Sequence, residues 1–239
     1  RINKNVFYYL ISKIKAYSFW THISGVVTYF IYRSDTVFLS FFLPIGLVGH
    51  YNVALNLANF ANVLPGIVAQ QNSVAISNVV DKNDRCSITN YILKLSVFIG
   101  LCTLAAYWLF GEVAISLIAP SIPVLEVYTY MIPVVAGLVI VKSIASPVVS
   151  FINVEGSVKS VFYRVNLPVL VFSIFTYSFS AYVYGAVGVA LSNVVNSCFW
   201  LVLVVFESNR VGFSYAGFFS LKSEIEFFRK RLFSNVNGA

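Results

Sequence analysis

The stretch YSFWTHISGVVTYFIYRSDTVFLSFFL, Tyr17 to Leu43, decides how this chain is read. As a helix it is long enough to cross a bilayer, because about 20 residues rising 1.5 Å each span the ~30 Å hydrocarbon core. Yet Arg33 and Asp35 stand near its middle. A charge at bilayer centre costs about 2.5–3.5 kcal/mol on insertion scales, and such residues usually face a bundle interior or a water-filled path. Charges placed there point toward transport.

The rest of the chain has the same character. Of 239 residues, 59% are hydrophobic and only 10% charged, against roughly 25% charged in soluble domains. A soluble fold of this size would lack the charges to cover its surface. Further apolar segments of spanning length follow the first: His50–Val80, Ile88–Phe110, Ile122–Phe151, Ser157–Tyr182 and Gly188–Phe206. In lipid every backbone N–H and C=O must be satisfied internally, and no ten-residue alternation marks a β-barrel, so these are helices. The expectation is an all-α polytopic membrane protein with six transmembrane helices in one bundle over 17–206. A juxtamembrane segment, 1–16, precedes the bundle, and a basic amphipathic cytoplasmic tail, 207–239, follows it. RINKNVFYYLISKIKA has no clean apolar core or small-residue cleavage site and begins with arginine. It reads as part of a longer protein, not as a signal peptide.

Charge sets the orientation. The connections PIGLVG, PSIP and YGAV carry no Lys or Arg. Every basic residue except Arg33 and Lys142 falls on the other side. By the positive-inside rule both termini are cytoplasmic. The net charge of +7 is then a matter of topology. It calls for no nucleic-acid partner, since no groove-reading motif accompanies it. In the tail, Leu221, Ile225, Phe228 and Leu232 share one helical face, the pattern of an interfacial helix on anionic lipid. Pro65, Pro133, Pro147 and Pro168 lie inside spans and should kink them. The second span is too long for the membrane and should tilt, kink at Pro65 or protrude.

No catalytic or metal chemistry is legible. Cys86, Cys102 and Cys198 lack CxxC spacing, and His22 and His50 form no HxxH pair. Outer turns are short and nearly uncharged, with Glu112 and Glu126 at their margins, so there is nowhere to place an enzyme's constellation. Intramembrane polar residues remain. At 100° per residue, Asn52, Asn56, Asn59 and Gln70 project within about 40° of one direction. That stripe lines either a cavity or a polar helix–helix contact. Lys142 shares a face with Tyr128, Ser146 and Asn153. Asn193, Asn196, Ser197 and Trp200 cluster on the last span, where helix glue is the simpler reading. Arg33 and Asp35 point some 200° apart on a regular helix and cannot pair simply. One face meets a cavity and the other a neighbouring helix.

Three stretches resemble the multidrug/oligosaccharidyl-lipid/polysaccharide exporter superfamily, and within it the O-antigen and polysaccharide repeat-unit flippases. They are SDTVFLSFFLPIGLVGHYNVALNLA (Ser34–Ala58), WLFGEVAISLIAP (Trp108–Pro120) and YGAVGVALSNVV (Tyr184–Val195). The resemblance covers nearly all of residues 15–206 but rests on no single diagnostic motif. It implies the C-terminal half of a twelve-helix, MATE-like fold that needs the missing N-terminal half or a second six-helix bundle as partner. It also implies alternating-access flipping of a polyprenyl-pyrophosphate-linked glycan between leaflets, with membrane lipids around it. Arg33 and Lys142 suit phosphate oxygens, and Asn52, Asn56, Asn59 and Gln70 suit sugar hydroxyls. No cofactor is expected. Asp35 is the candidate carrier of a coupling proton or sodium ion, and could equally neutralise an arginine on another helix. The alternatives are a multidrug or cation exporter and a lipid II flippase half. A polymerase or ligase, or a non-transporting scaffold, fits less well.

Overall fold

The computed structural model describes residues 4–61 and 63–219, and over these the chain is helical, with no strand. The order is α1 (Lys4–Phe42), α2 (Ile45–Ala61), α3 (Val63–Ser77), α4 (Lys82–Ile118), α5 (Val124–Val139), a π-helical segment π1 (Ile140–Ala145), α6 (Ser146–Glu155), α7 (Val158–Val161), a second π-helical segment π2 (Phe162–Asn166), α8 (Leu167–Val211) and a short α9 (Ala216–Phe219). The tail residues Leu221, Ile225, Phe228 and Leu232 lie outside the described residues.

Three helical runs are long and apolar enough to cross a membrane: Lys82–Ile118, Val124–Glu155 and Val158–Val211. The bent pair α2–α3 makes a fourth if taken as one span. The first segment, Tyr17–Leu43, is helical but is not among them. Arg33, Asp35 and a high content of Ser, Thr, Tyr and His dilute its apolar character. α1 runs unbroken for 39 residues from Lys4, so the helix continues through residue 16. The run Val158–Val211 is 54 residues long. At 1.5 Å per residue it would reach about 80 Å as one rod. It does not stay straight: Gly185, at φ 62 and ψ −146, leaves helical geometry and divides α8 into two arms. Only glycine enters that backbone region without steric cost.

The prolines explain most other irregularities. α2 and α3 meet at 48°. Pro65 has no N–H for the carbonyl four residues back, so the helix opens just before it. Pro147 and Pro168 each follow a π-helical segment, and there the chain bonds one residue further back than an α-helix does. The N–H of Ser146 goes to the carbonyl of Val141, and that of Leu167 to Phe162. Widening the turn absorbs the missing proline donor. α8 ends on Gly212 at φ 82, where Phe213 N–H returns to the Ser208 carbonyl in a Schellman closure.

The buried side chains form two apolar cores. One holds Leu39, Tyr51, Val127, Met131, Val134 and Tyr177. The other holds Ile76, Leu93, Phe151, Val161, Val169, Val204 and Phe213. Between them, helix after helix buries a small polar residue: Asp35 on α1, Ser96 on α4, Ser143 on π1, Ser173 and Asn196 on the two arms of α8. This polar belt is the waist of the bundle. Charged pairs sit toward its ends. Arg85 and Glu155 meet at 2.6 Å, and Arg164 and Glu207 at 3.3 Å. At the other end His50 Nδ1 lies 3.3 Å from Glu126, whose other oxygen accepts from Tyr130. Large apolar side chains such as Phe98, Trp108, Phe175 and Phe206 are exposed on the outside. That suits a lipid-facing surface.

Candidate functional site

α1 carries Arg33 and Asp35 through the waist and, as the helical spacing requires, turns them apart. Asp35 is 1% exposed. Its Oδ2 accepts the Tyr51 hydroxyl from α2 at 2.8 Å, and its Oδ1 accepts the Thr36 backbone N–H at 2.6 Å. The Thr36 hydroxyl stands 3.3 Å from both Asp35 Oδ1 and Asn52 Oδ1. Its single hydrogen serves one of them at a time. Among the described residues no cation lies within ion-pair distance of Asp35, so the arginine partner that sequence leaves open is not seen there.

Arg33 is exposed and opens into a cavity of about 500 Å³. Lys142 lines the same cavity from π1, together with Asn59 from α2, Gln70 from α3 and Asn193 from the second arm of α8. Among the described residues no carboxylate stands in its wall, and neither Arg33 nor Lys142 has an acidic partner at ion-pair distance. Lys142 instead holds its Nζ 5.2 Å from the centre of the Tyr32 ring. A lysine over an aromatic face is stabilised by the ring quadrupole while keeping its charge available. Two cations and the side-chain amides of Asn59, Gln70 and Asn193 therefore converge where a polar or anionic ligand would be held.

The stripe on the second segment divides. Asn59 and Gln70 reach the cavity, whereas Asn52 is half-buried against Thr36 and Asn56 is exposed away from it. The 48° bend and the contact with α1 break the straight line that helical periodicity draws. On the last span Asn196 accepts from Thr176 at 2.8 Å, joining the two arms of α8, while Asn193 lines the cavity.

Sequence reasoning does not single out a second cavity of about 290 Å³ beside the first. Ser24 and Tyr32 of α1, Lys142 of π1, Asn153 of α6, Asn166 of π2 and Trp200 of α8 are among its walls. The two cavities share Tyr32 and Lys142. The Tyr32 ring neighbours both Lys142 and the Trp200 indole, whose centroid is 5.9 Å away.

The chain matches no protein-family model, no curated protein and no solved structure.

Proposed function

We propose that this chain is the cargo-binding half of a transporter that moves a polyprenyl-pyrophosphate-linked glycan across a bacterial inner membrane by alternating access. One observation carries the reading. Arg33 and Lys142, on different helices, open into one cavity whose described wall has no carboxylate to neutralise them. Arginine offers a forked set of donors and lysine a compact charge, and both suit pyrophosphate oxygens. A cation exporter would place acidic groups in that wall, so this arrangement favours an anionic cargo over a multidrug substrate. A lipid II flippase half, whose cargo has the same pyrophosphate chemistry, is the second reading.

In this proposal the bundle crosses the membrane six times, with both termini cytoplasmic. α2–α3 is one bent span, and α8 crosses twice by turning at Gly185. The cavity faces a second six-helix half, and rocking of the two halves exposes it to one side and then the other. Asp35, held within the polar belt, is the coupling residue for a proton or sodium ion.

The test is export of the glycan to the cell surface by the intact transporter that contains this chain. Arg33→Ala and Lys142→Ala should each abolish export at near-parental membrane levels, and Arg33→Lys should restore part of it. Parental export by both alanine variants would end the cargo-binding role.

A further inference from the structure

Both cavities set aromatic rings beside side-chain amides, but the smaller one adds an indole and a serine hydroxyl and is without Arg33. It joins the rings of Tyr17, Tyr32 and Trp200 to the Asn153 amide and to Asn166, whose side-chain N–H goes to the Ser24 hydroxyl. Among the described residues its only cation is Lys142, at the boundary with the larger cavity, and no carboxylate lines it. The wall also has unused hydrogen-bonding capacity. Among the described residues, the Trp200 indole N–H and the Asn153 amide oxygen are buried without a partner. Trp200 is 7% exposed. Buried polar groups left unpaired in a wall of this kind favour a ligand that brings both donors and acceptors.

That pattern selects among ligand classes. A bare anion would want more than one cation. An apolar chain would leave the amides and the indole N–H unsatisfied. A sugar ring presents hydroxyls that donate and accept, and C–H faces that lie against aromatic rings. The volume, about ten waters at ~30 Å³ each, fits a group of that size. We propose that this cavity is a sugar subsite, with Asn153 and Trp200 bonding hydroxyls of one ring. Resting on the glycan-export reading, it sets the first sugar beside Lys142 and the pyrophosphate on the far side, toward Arg33. The hydroxyl-binding role thus moves from the Asn52–Gln70 stripe to the α1–α6–α8 wall.

The subsite is testable without the lipid-linked cargo. In the intact protein in nanodiscs, Trp20→Phe and Trp108→Phe leave Trp200 as this chain's only indole; any tryptophan elsewhere in the protein is likewise replaced by phenylalanine. Its emission is followed during titration with the methyl glycosides of glucose, galactose, rhamnose and N-acetylglucosamine. At least one should give a saturable change in the millimolar range. Asn153→Ala should weaken it about tenfold, the loss of roughly one hydrogen bond, while Arg33→Ala leaves it unchanged. Melting temperature checks that Asn153→Ala is folded, and Asn153→Ser provides a second variant if it is not. No saturable change with any glycoside overturns the subsite, as does a response that both Asn153 variants leave intact. Inorganic pyrophosphate is the contrasting probe: if it alone alters Trp200 emission, with the same dependence on Asn153, the cavity is an anion site. Sugar binding here beside normal export by Arg33→Ala would sink the pyrophosphate reading and spare the subsite.

Discussion

Tyr51 and Asp35 are joined across the α1–α2 hairpin by a 2.8 Å hydrogen bond, both side chains fully or almost fully withdrawn from the surface. The bond closes around the Leu43–Pro44 turn and ties the exposed α1 cavity face to a fixed azimuth. If Asp35 is held there, Arg33 is held on the opposite side, over the cavity. The carboxylate thus has a structural task whether or not it also carries an ion.

The two tasks separate by substitution. Tyr51→Phe removes only the donor and leaves the carboxylate short of a partner, a loss of about 1–3 kcal/mol. It should lower the melting temperature and the membrane level. Asp35→Asn keeps an acceptor oxygen for Tyr51 and should fold better than Asp35→Ala. If Asp35 is the coupling residue, transport by Asp35→Asn loses its dependence on pH or sodium; an unaltered dependence leaves Asp35 a structural anchor alone.

Close approach of α5 to the second arm of α8 depends on Gly137. A Cβ there would overlap Asn193 Oδ1 and lie 3.0 Å from the Asn193 carbonyl oxygen. Because the obstacle includes backbone, the helices must part, and overpacking of this kind costs about 1–3 kcal/mol. Gly137→Ala should therefore destabilise the protein and displace Asn193 from the cavity wall. At Gly49, on α2, an added methyl group would meet no described atom within 4 Å. Gly49→Ala should be neutral or stabilising by up to about 1 kcal/mol. Melting curves of the two variants in one detergent make the comparison.

At Gly185 the obstacle is the backbone itself. With φ 62 and ψ −146, a side chain there is strained by about 1–3 kcal/mol. Gly185→Ala should reduce the folded yield more than Gly66→Ala, whose methyl group meets no described atom within 4 Å. Yield after detergent extraction, read by size-exclusion chromatography, reports it.

Topology is open to direct labelling. In a background with Cys86, Cys102 and Cys198 replaced by serine, and any other native cysteines of the intact protein likewise replaced, Lys159→Cys should react with an impermeant maleimide only after the cytoplasmic face is opened. Ser121→Cys should react from outside in intact cells. Equal reactivity of both in intact cells would overturn the six-span arrangement.

Some of this is legible in the sequence and some is not. The separation of Arg33 from Asp35 follows from their spacing, because a regular helix turns them to different faces. The common face of Lys142, Ser146 and Asn153 follows in the same way, and all three line the smaller cavity. Meeting of Arg33 with Lys142 requires α1 and π1 to pack against the same neighbour, α8, which periodicity does not contain. Asn52 leaves its stripe because Thr36 on another helix engages it and because the helix bends before Pro65. Trp200 and Asn166 are hidden for a different reason. A buried aromatic residue and a buried amide look like core and helix glue until the wall they share is seen. Their one signal is an excess of amides near aromatic residues on facing spans.

The π-helical segment at Ile140–Ala145 has a consequence for how α5 and α6 divide their neighbours. Such a segment carries one residue more than the α-helical path needs, a phase slip of about 100°. Before the slip, Tyr128 gives its hydroxyl to the Trp108 carbonyl on α4, and Tyr130 bonds Glu126 beside His50 of α2. After it, Ser146 and Asn153 look toward α1. One continuous rod is thereby keyed to two different sets of helices, with Lys142 on the step where the keying changes.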